Sequence, residues 1–341
     1  MLMQKPFMDC LLPAPVGGGF IRTGYWVWCG SVIEDDEGRF HMFASMWEKS
    51  VAFSPNWLTN SRIVRAESDL PEGPYKYCED VLPPRGPGFW DGRMTHNPTI
   101  HRYGNKYLLF YTGTTFDEET PTADRSVSPE LRRKARANQR IGMAVSDSPC
   151  GPWRRPDRCS LDVRPGCWDA LLTTNPAPCV LTDGRILLLY KSATAENSRI
   201  QYGVSMADSL DDPFQRIGPD GPLTFKDSSI RYEDAFVWHQ NRAFHMIFND
   251  MTGRLTGEDH AGAHAVSEDG IAWKLNDPPK AYSRKVRWND GSETVQGSFE
   301  RPQLLIRDGI PTHLFAATAD GPGGFHNAEN TWNMVVPLQT E

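Results

Sequence analysis

Residues with reactive or ligand-binding side chains recur at five separated points of the 341-residue chain. Paired carboxylates can give and take protons, and arginine and asparagine can hold the oxygens of a bound molecule. Each point opens a similar stretch of sequence, so a fold that superposes these stretches would bring the residues together. The five points are Cys29, Asn97, Asn175, Glu233 with Asp234, and Glu300 with Arg301.

A tryptophan followed by an aspartate stands just upstream of two of these points. An indole ring can stack on the C–H face of a sugar while a carboxylate accepts hydrogen bonds from its hydroxyls. The structural alternative is that the indole fills a gap between packed sheets. The two pairs are Trp90-Asp91 before Asn97 and Trp168-Asp169 before Asn175.

The same upstream segments carry further polar residues. Asp227 precedes Glu233 at the spacing that the other two aspartates have, and Arg93 and His96 follow the first tryptophan–aspartate pair. We expect Arg93 and His96 to contribute substrate contacts beside Asn97.

Repeated hairpins carry these residues. Two examples are NPTIHRYGNKYLLFYTG from Asn97 and NPAPCVLTDGRILLLYKS from Asn175. Each has two short strands rich in aliphatic and aromatic residues around a Gly-Asn or Asp-Gly turn, which is a strong hairpin signal. A second unit, such as RIGMAVSDSPCGPW from Arg140, follows the first four hairpins.

Two hairpins in succession predict a four-stranded antiparallel sheet, and five such sheets account for residues 1–341. The sequence therefore predicts an all-β, five-bladed β-propeller in one domain, with blades beginning near residues 29, 97, 175, 233 and 300. The fifth blade has one strand too few, so we expect a strand near Phe20 to Trp26 to close the ring. A β-sandwich with coincidental repeats is the alternative.

In a propeller, the first strand of each blade lines the central channel, and the five strand starts converge on one face. The residues at those starts would form a polar pocket. Polar residues at strand starts also cap turns and hydrogen-bond the backbone, which is the alternative for any single one.

The repeats and the motif Tyr232-Glu233-Asp234 resemble the five-bladed propeller glycoside hydrolases of the family-43 and family-32 type. The resemblance implies that Glu233, which opens the fourth blade, is the general acid. It also implies aspartates opening blades one and three, where this chain has Cys29 and Asn175. The chain thus resembles a divergent relative, near the anhydrogalactosidase or mannoside-phosphorylase types.

Cleavage of a glycosidic bond needs a second carboxylate beside the acid. The candidates are Asp169, Asp91 and Glu300, in that order. Asp234 would raise the pKa of Glu233, because like charges disfavour ionisation.

The sequence leaves three functions open. We expect a glycosidase that acts on a terminal sugar of an oligo- or polysaccharide by acid/base catalysis, a hydrolase of polysaccharide degradation. The alternatives are a carbohydrate-binding propeller without catalysis, and a glycoside phosphorylase in which Arg93, Arg301 and a histidine hold phosphate.

The composition and charge of the chain argue against two classes of binding partner. The net charge of −7 argues against nucleic acid, and the absence of 18 consecutive apolar residues argues against a membrane span. The seven cysteines form no CxxC pair and the first residues no signal peptide, so we expect a cytoplasmic protein with free thiols. A homo-oligomer is compatible with the sequence.

Three further expectations concern the site. No metal-ligand spacing is present and no cofactor is required, although the resemblance allows a calcium ion in the channel.

His264 and His326 lie where they can reach the pocket. The insertion 114–139, acidic at first and then basic and helical, is either a solvated helix or a lid or dimer contact that favours exo action.

Overall fold

The computed structural model describes residues 5–218, 221, 223 and 230–339. These residues form five antiparallel sheets arranged as the blades of a β-propeller, which confirms the predicted fold. Within each blade the strands are paired in sequence order, so the chain starts at the channel and works outwards. Short loops rich in glycine and proline join the strands, as their turn propensities predict.

The strands of the blades are β1 (Tyr25–Glu34), β2 (Phe40–Glu48), β3 (Arg62–Ser68) and β4 (Lys76–Leu82); β5 (Met94–Tyr103), β6 (Lys106–Thr114) and β7 (Arg140–Ser146); β8 (Leu172–Val180), β9 (Ile186–Ala193), β10 (Gln201–Ala207) and β11 (Gln215–Arg216); β12 (Tyr232–Gln240), β13 (Ala243–Asp250), β14 (Ala261–Ser267) and β15 (Lys274–Tyr282); and β18 (Ser298–Arg307), β19 (Ile310–Ala319) and β20 (Thr331–Pro337). A small hairpin of β16 (Lys285–Arg287) and β17 (Glu293–Val295) precedes the last blade. The helices are α1 (Trp57–Asn60), α2 (Pro129–Ala137) and the 3₁₀ turns Phe7–Cys10 and Gly324–His326.

The ring closes through the innermost strands and the N-terminal segment. Each innermost strand contacts the next, and β18 contacts β1. Phe20 pairs with Asn333 and Leu11 with Leu338, so the N-terminal segment borders the outer edge of β20. The closing segment lies earlier than expected, because Trp26 belongs to β1 of blade one.

The second strand of each blade packs between two neighbouring blades. All eight residues of β9, ILLLYKSA, are buried, because both faces of the sheet meet another blade. The apolar clusters accordingly join residues of adjacent blades, such as Leu187 of β9 with Phe248 of β13. A strand buried on both faces reads as a continuous apolar run, which is why these strands are recognisable in the sequence.

The innermost strand of every blade is interrupted at the same point. Each has a register shift two to four residues from its start, and the residue within the shift has a φ between 50° and 61°. A β-bulge of this kind turns a side chain out of the ladder. The five residues are Cys29, Asn97, Asn175, Asp234 and Arg301.

The insertion between β6 and β7 folds against blade one. Ser128 caps α2 by accepting a hydrogen bond from the Leu131 backbone N–H, and Pro129 occupies the first turn. Leu131 and Phe116 pack with Leu58 of α1. In the described part of the chain, neither helix has the length and apolar character to cross a membrane.

Candidate active site

A cavity of about 180 Å³ opens at the end of the channel where the innermost strands begin. All five blades and the insertion contribute side chains to it. The polar lining residues are His96, Asn97, Arg136, Asn175, Lys191, Glu233, Asp234, Glu300 and Arg301, and the aromatic ones are Trp28, Phe53, Trp57 and Phe325.

Hydrogen bonds connect the bulge residues of neighbouring blades in a series. The Cys29 thiol donates to Asn97 Oδ1 at 2.8 Å, Asn97 Nδ2 donates to Asn175 Oδ1 at 2.6 Å, and Asn175 Nδ2 donates to Asp234 Oδ1 at 2.8 Å. Arg301 Nη1 completes the series at 3.5 Å from the same Asp234 oxygen. The series fixes the orientation of every amide along it.

The bulges are held by the second strand of the preceding blade. The Asn97 backbone N–H donates to Ser45 Oγ at 3.0 Å, and the Asn175 N–H donates to Thr112 Oγ1 at 3.1 Å. Asparagine and aspartate tolerate positive φ, whereas cysteine and arginine do so at a cost. Strain of this kind tends to be retained where a side chain must be aimed at a site.

Glu233 and Lys191 form an ion pair at the cavity wall. Lys191 Nζ lies 2.5 Å from Glu233 Oε2, and the lysine side chain is 11% exposed. Since a lysine ammonium group has donors only, this contact suits a charged carboxylate that accepts hydrogen bonds.

Glu300 has the opposite environment. Its burial, together with the charges of Asp234 and Glu233, raises its pKa to about 8. The charge of Lys191 opposes this rise only in part, and His260 Nδ1 lies 3.8 Å from Glu300 Oε1. At neutral pH Glu300 is therefore protonated and able to donate a proton.

Asp234 is buried between the series of amides and Arg301. Burial raises its pKa and Glu233 adds to that effect, while Arg301 opposes it. Arg301 itself is only 2% exposed. The two groups supply a fixed charged floor for the cavity.

Aromatic rings form the rim. Phe53 packs edge-on against Trp28, and Phe325 lies 4.9 Å from Phe53 between ring centroids. His96 lies beside Trp57, and its Nδ1 is 2.8 Å from Ser61 Oγ. Burial lowers the pKa of His96 to about 3, so the imidazole is neutral at physiological pH.

The sequence-predicted residues divide into two groups. The cavity brings together seven of them: His96, Asn97, Asn175, Glu233, Asp234, Glu300 and Arg301. The other predicted site residues do not line it, and their surroundings give the physical reasons. These are Asp91, Asp169, Trp90, Trp168, Arg93 and His264.

The Trp90-Asp91 pair lies between blades. Asp91 is fully buried and is clamped by Arg85 Nε at 2.7 Å, Arg155 Nη2 at 2.6 Å and the Tyr111 hydroxyl at 2.7 Å. Trp90 stacks on Tyr111 with ring centroids 5.4 Å apart. The pair thus anchors a connection, which corrects the expected contact with substrate.

The Trp168-Asp169 pair repeats this arrangement one blade further on. Asp169 is fully buried and binds Arg164 Nε at 2.9 Å, Arg216 Nε at 2.7 Å and the Tyr190 hydroxyl at 2.9 Å. Although burial opposes ionisation, these contacts hold its pKa below the usual value. Trp168 stacks on Tyr190. The geometry leaves Asp169 without access to the cavity, contrary to the expected order of candidates.

Arg93 and His264 have structural partners. Arg93 Nε donates to the Phe116 carbonyl at 3.0 Å, which ties down the start of the insertion. His264 lies inside blade four, 3.2 Å from His245 and 2.8 Å from Asn276. Asp227 lies outside the described residues.

Sequence reasoning missed Lys191, Arg136 and the aromatic rim. A charged residue inside the apolar run ILLLYKSA is a signal in itself, because lysine is almost never buried without a partner. Arg136 stood within the basic run assigned to the insertion, and Trp28 stood next to Cys29.

Two chemistries receive no support from the lining. Burial raises the pKa of the Cys29 thiol well above its usual value, so it stays a neutral thiol rather than a nucleophilic thiolate. Within the described ranges, no three His, Cys, Asp or Glu side chains converge as ligands for a metal ion such as calcium.

No protein-family model and no curated protein matches the chain. Several solved structures, in contrast, match nearly the whole chain. A structure of BT0996 in an RGII complex shares 13% identity, with 98% of this protein and 93% of that one covered and a TM-score of 0.68. Zg3597, a family 117 glycoside hydrolase from Zobellia galactanivorans, shares 16% identity, with 96% and 89% covered and a TM-score of 0.65.

A thermostable family-43 glycoside hydrolase shares 16% identity, with 94% of this protein and 92% of that one covered and a TM-score of 0.61. These structures thus span nearly the whole chain and share the propeller fold with it. At such identities the likeness establishes the fold.

Proposed function

We propose that this protein is a glycoside hydrolase that releases a terminal sugar. The observation that carries the proposal is a pair of carboxylates with opposite environments in one cavity, Glu300 and Glu233. Two titratable groups whose surroundings differ in this way are the signature of an acid and its partner. The fold, shared with family 117 and family-43 glycoside hydrolases, supports the same reaction class.

Glu300 is the proton donor in this proposal. Its protonated carboxyl gives its proton to the glycosidic oxygen as the bond from that oxygen to the anomeric carbon breaks. We assign the acid role to Glu300 rather than to Glu233, for which the resemblance implied it, because Lys191 forms its ion pair with Glu233.

Glu233 is the carboxylate partner. It either takes a proton from the attacking water or itself attacks the anomeric carbon to form an intermediate that water then hydrolyses. Lys191 orients one Glu233 oxygen and leaves the other available. Asn97, Asn175 and Arg301 offer donors and acceptors for the sugar hydroxyls.

The size of the cavity supports action at a chain end. The cavity has a volume of about 180 Å³ and is lined by residues from all five innermost strands. This accommodates one sugar ring rather than a continuous polysaccharide. The aromatic rim, with Trp28 and Trp57, suits stacking against the sugar or the group that leaves.

The test compares two leaving groups. A panel of 4-nitrophenyl and 2,4-dinitrophenyl glycosides is assayed with wild type, Glu300→Gln and Glu233→Gln. Removal of the general acid should lower turnover of the 4-nitrophenyl substrate by ~100-fold or more, and that of the dinitrophenyl substrate far less, because its leaving group needs no proton. Glu233→Gln should lower both alike.

Glu37→Gln is the matched control, because Glu37 is exposed in the turn after β1, away from the cavity. It should behave as wild type. If Glu233→Gln, and not Glu300→Gln, lowered turnover of the 4-nitrophenyl substrate far more than that of the dinitrophenyl substrate, Glu233 would be the general acid. Sugar binding without turnover of any glycoside would leave a carbohydrate-binding propeller instead.

A further inference from the structure

One guanidinium group reaches the cavity from the inserted helix. Arg136 lies in the last turn of α2 and lines the cavity opposite the blade residues. Its neighbours on the helix are paired, Arg133 with Glu130 and Lys134 with Asp117 and Glu118. For the Arg136 guanidinium, the described residues supply neither a hydrogen-bond acceptor nor an ion-pair partner.

The surroundings of Arg136 are costly for an isolated charge. Burial lowers its pKa, and the attraction of Glu233 and Glu196 offsets this only in part. A guanidinium that is partly withdrawn from water is stabilised by an anionic partner.

Arg301 adds a second, incompletely paired guanidinium on the channel floor. Its Nη1 lies 3.5 Å from Asp234 Oδ1, whereas its Nε and Nη2 have no hydrogen-bond partner among the described residues. The group is almost fully buried. Arg301 therefore offers hydrogen-bond donors on the channel floor that the described residues leave unused.

The charges of the lining do not balance at neutral pH. Arg136, Lys191 and Arg301 are cationic, while Glu233 and Asp234 provide two carboxylates and Glu300 is protonated. Even with both carboxylates ionised, one positive charge is in excess, in a chain whose net charge is −7. A ligand with one negative charge would complete the balance.

We propose that the terminal sugar bound in this cavity carries a carboxylate, as in a uronic acid, and that Arg136 binds this carboxylate. The inference rests on the proposed function, whose substrate class it specifies. A guanidinium matches a carboxylate through two parallel hydrogen bonds, which no neutral hydroxyl group reproduces. A neutral sugar would leave Arg136 desolvated and unpaired, so the site discriminates against it.

The experiment measures binding, independently of turnover. Calorimetry and thermal shift are run on the full chain with three matched pairs, glucuronate and glucose, galacturonate and galactose, and mannuronate and mannose, and with inorganic phosphate. The variants are Arg136→Gln and, as control, Arg132→Gln, which removes the same charge from an exposed position of the same helix.

In wild type, at least one uronate should bind ~10- to 100-fold more tightly than its neutral partner, the worth of a charge-assisted hydrogen-bonded pair. Arg136→Gln should abolish this preference and leave the affinity for the neutral sugar within about threefold. Arg132→Gln should retain the preference. The unliganded melting temperatures of the two variants report whether both fold as wild type.

Equal affinities within every pair, or a uronate preference that survives Arg136→Gln, would overturn the inference. Phosphate binding that is lost in Arg136→Gln, without any uronate preference, would also overturn it and favour phosphorolysis. Uronate binding without hydrolysis of any glycoside would support the inference while the proposed hydrolase activity fails. Hydrolysis of neutral glycosides with no uronate preference would support the proposed hydrolase activity and overturn the inference.

Discussion

Buried carboxylates occur in two regions of this propeller, and their partners differ. In the connections that lead into blades two and three, Asp91 and Asp169 each bind two arginines and a tyrosine hydroxyl. In the channel mouth, the charges of Asp234 and Glu233 raise the pKa of Glu300 more than the charge of Lys191 lowers it, and His260 Nδ1 lies 3.8 Å from its Oε1. The aspartate side chains are fully buried and that of Glu300 is 15% exposed, but the larger difference lies in charge compensation.

The difference separates a structural carboxylate from a reactive one. A fully compensated carboxylate stays ionised and holds segments together, as the lowered pKa of Asp169 indicates. A carboxylate whose charge is only partly compensated stays protonated and can donate the proton, as the raised pKa of Glu300 indicates. Residue type and spacing alone suggested catalysis for both groups.

The largest expected effect is on stability, in the connections. Asp91→Asn or Asp169→Asn removes the fully buried carboxylate that two arginines share. Breaking such a network by removing one partner costs about 3–5 kcal/mol. Urea denaturation should therefore show a much lower midpoint for either variant, while the turnover per folded molecule changes little.

Asp157→Asn is the control, because Asp157 pairs with the same Arg85 that binds Asp91, but its side chain is 78% exposed. Its loss should be below about 1 kcal/mol, as for other surface pairs. If Asp91→Asn or Asp169→Asn instead kept the stability of wild type and lost turnover, the contrast between the two regions would fail. The aspartate would then be catalytic, as the sequence suggested.

The next effect tests whether the tryptophans of these connections are packing elements. A Cβ at Gly142 would lie 2.3 Å from the Trp90 ring, and a Cβ at Gly203 would lie 2.7 Å from the Trp168 ring. Gly142→Ala should therefore displace Trp90 and cost about 1–3 kcal/mol, the usual range for overpacking. Gly88→Ala, where the added Cβ meets open space, is the control in the same thermal-denaturation series.

The sequence was sufficient for the propeller because its blades are encoded locally. Apolar runs such as ILLLYKSA and the Asp-Gly turns identify each hairpin within some 20 residues, and five hairpins determine the ring. The convergence of equivalent blade positions on one cavity could also be predicted from the sequence, because the topology brings them together. These positions include Asn97, Asn175, Glu233 and Arg301.

The structural role of the tryptophan–aspartate pairs could not be predicted from the sequence. Arg155 and Arg216, which neutralise Asp91 and Asp169, lie 64 and 47 residues away along the chain. Only the folded structure reveals that these aspartates face arginines instead of the cavity. The pKa of Glu300 has the same origin, since it depends on Asp234 and Glu233 from another blade.

A pH-dependent effect on stability follows from the proton that Glu300 retains. Its pKa is about 8 in the folded protein and near 4.5 when the chain is unfolded. Between these values the unfolded state releases a proton that the native state keeps. Stability from this group is complete below about pH 4.5 and is lost as the pH rises towards 8, at a limiting slope of ~1.4 kcal/mol per pH unit.

Glu300→Gln removes this titration while preserving the shape and much of the hydrogen bonding. The variant should therefore gain stability relative to wild type as the pH rises, by up to about 1.4 kcal/mol per pH unit, and the gain should be absent near pH 4.5. Chemical denaturation at several pH values measures the difference. Asp169→Asn should show the opposite sign, because the lowered pKa of Asp169 means that an ionised carboxylate is lost there. A Glu300→Gln variant that lost stability relative to wild type as the pH rises would mean that the charged form of Glu300 has partners that compensate it, and the contrast between the channel mouth and the blade connections would disappear.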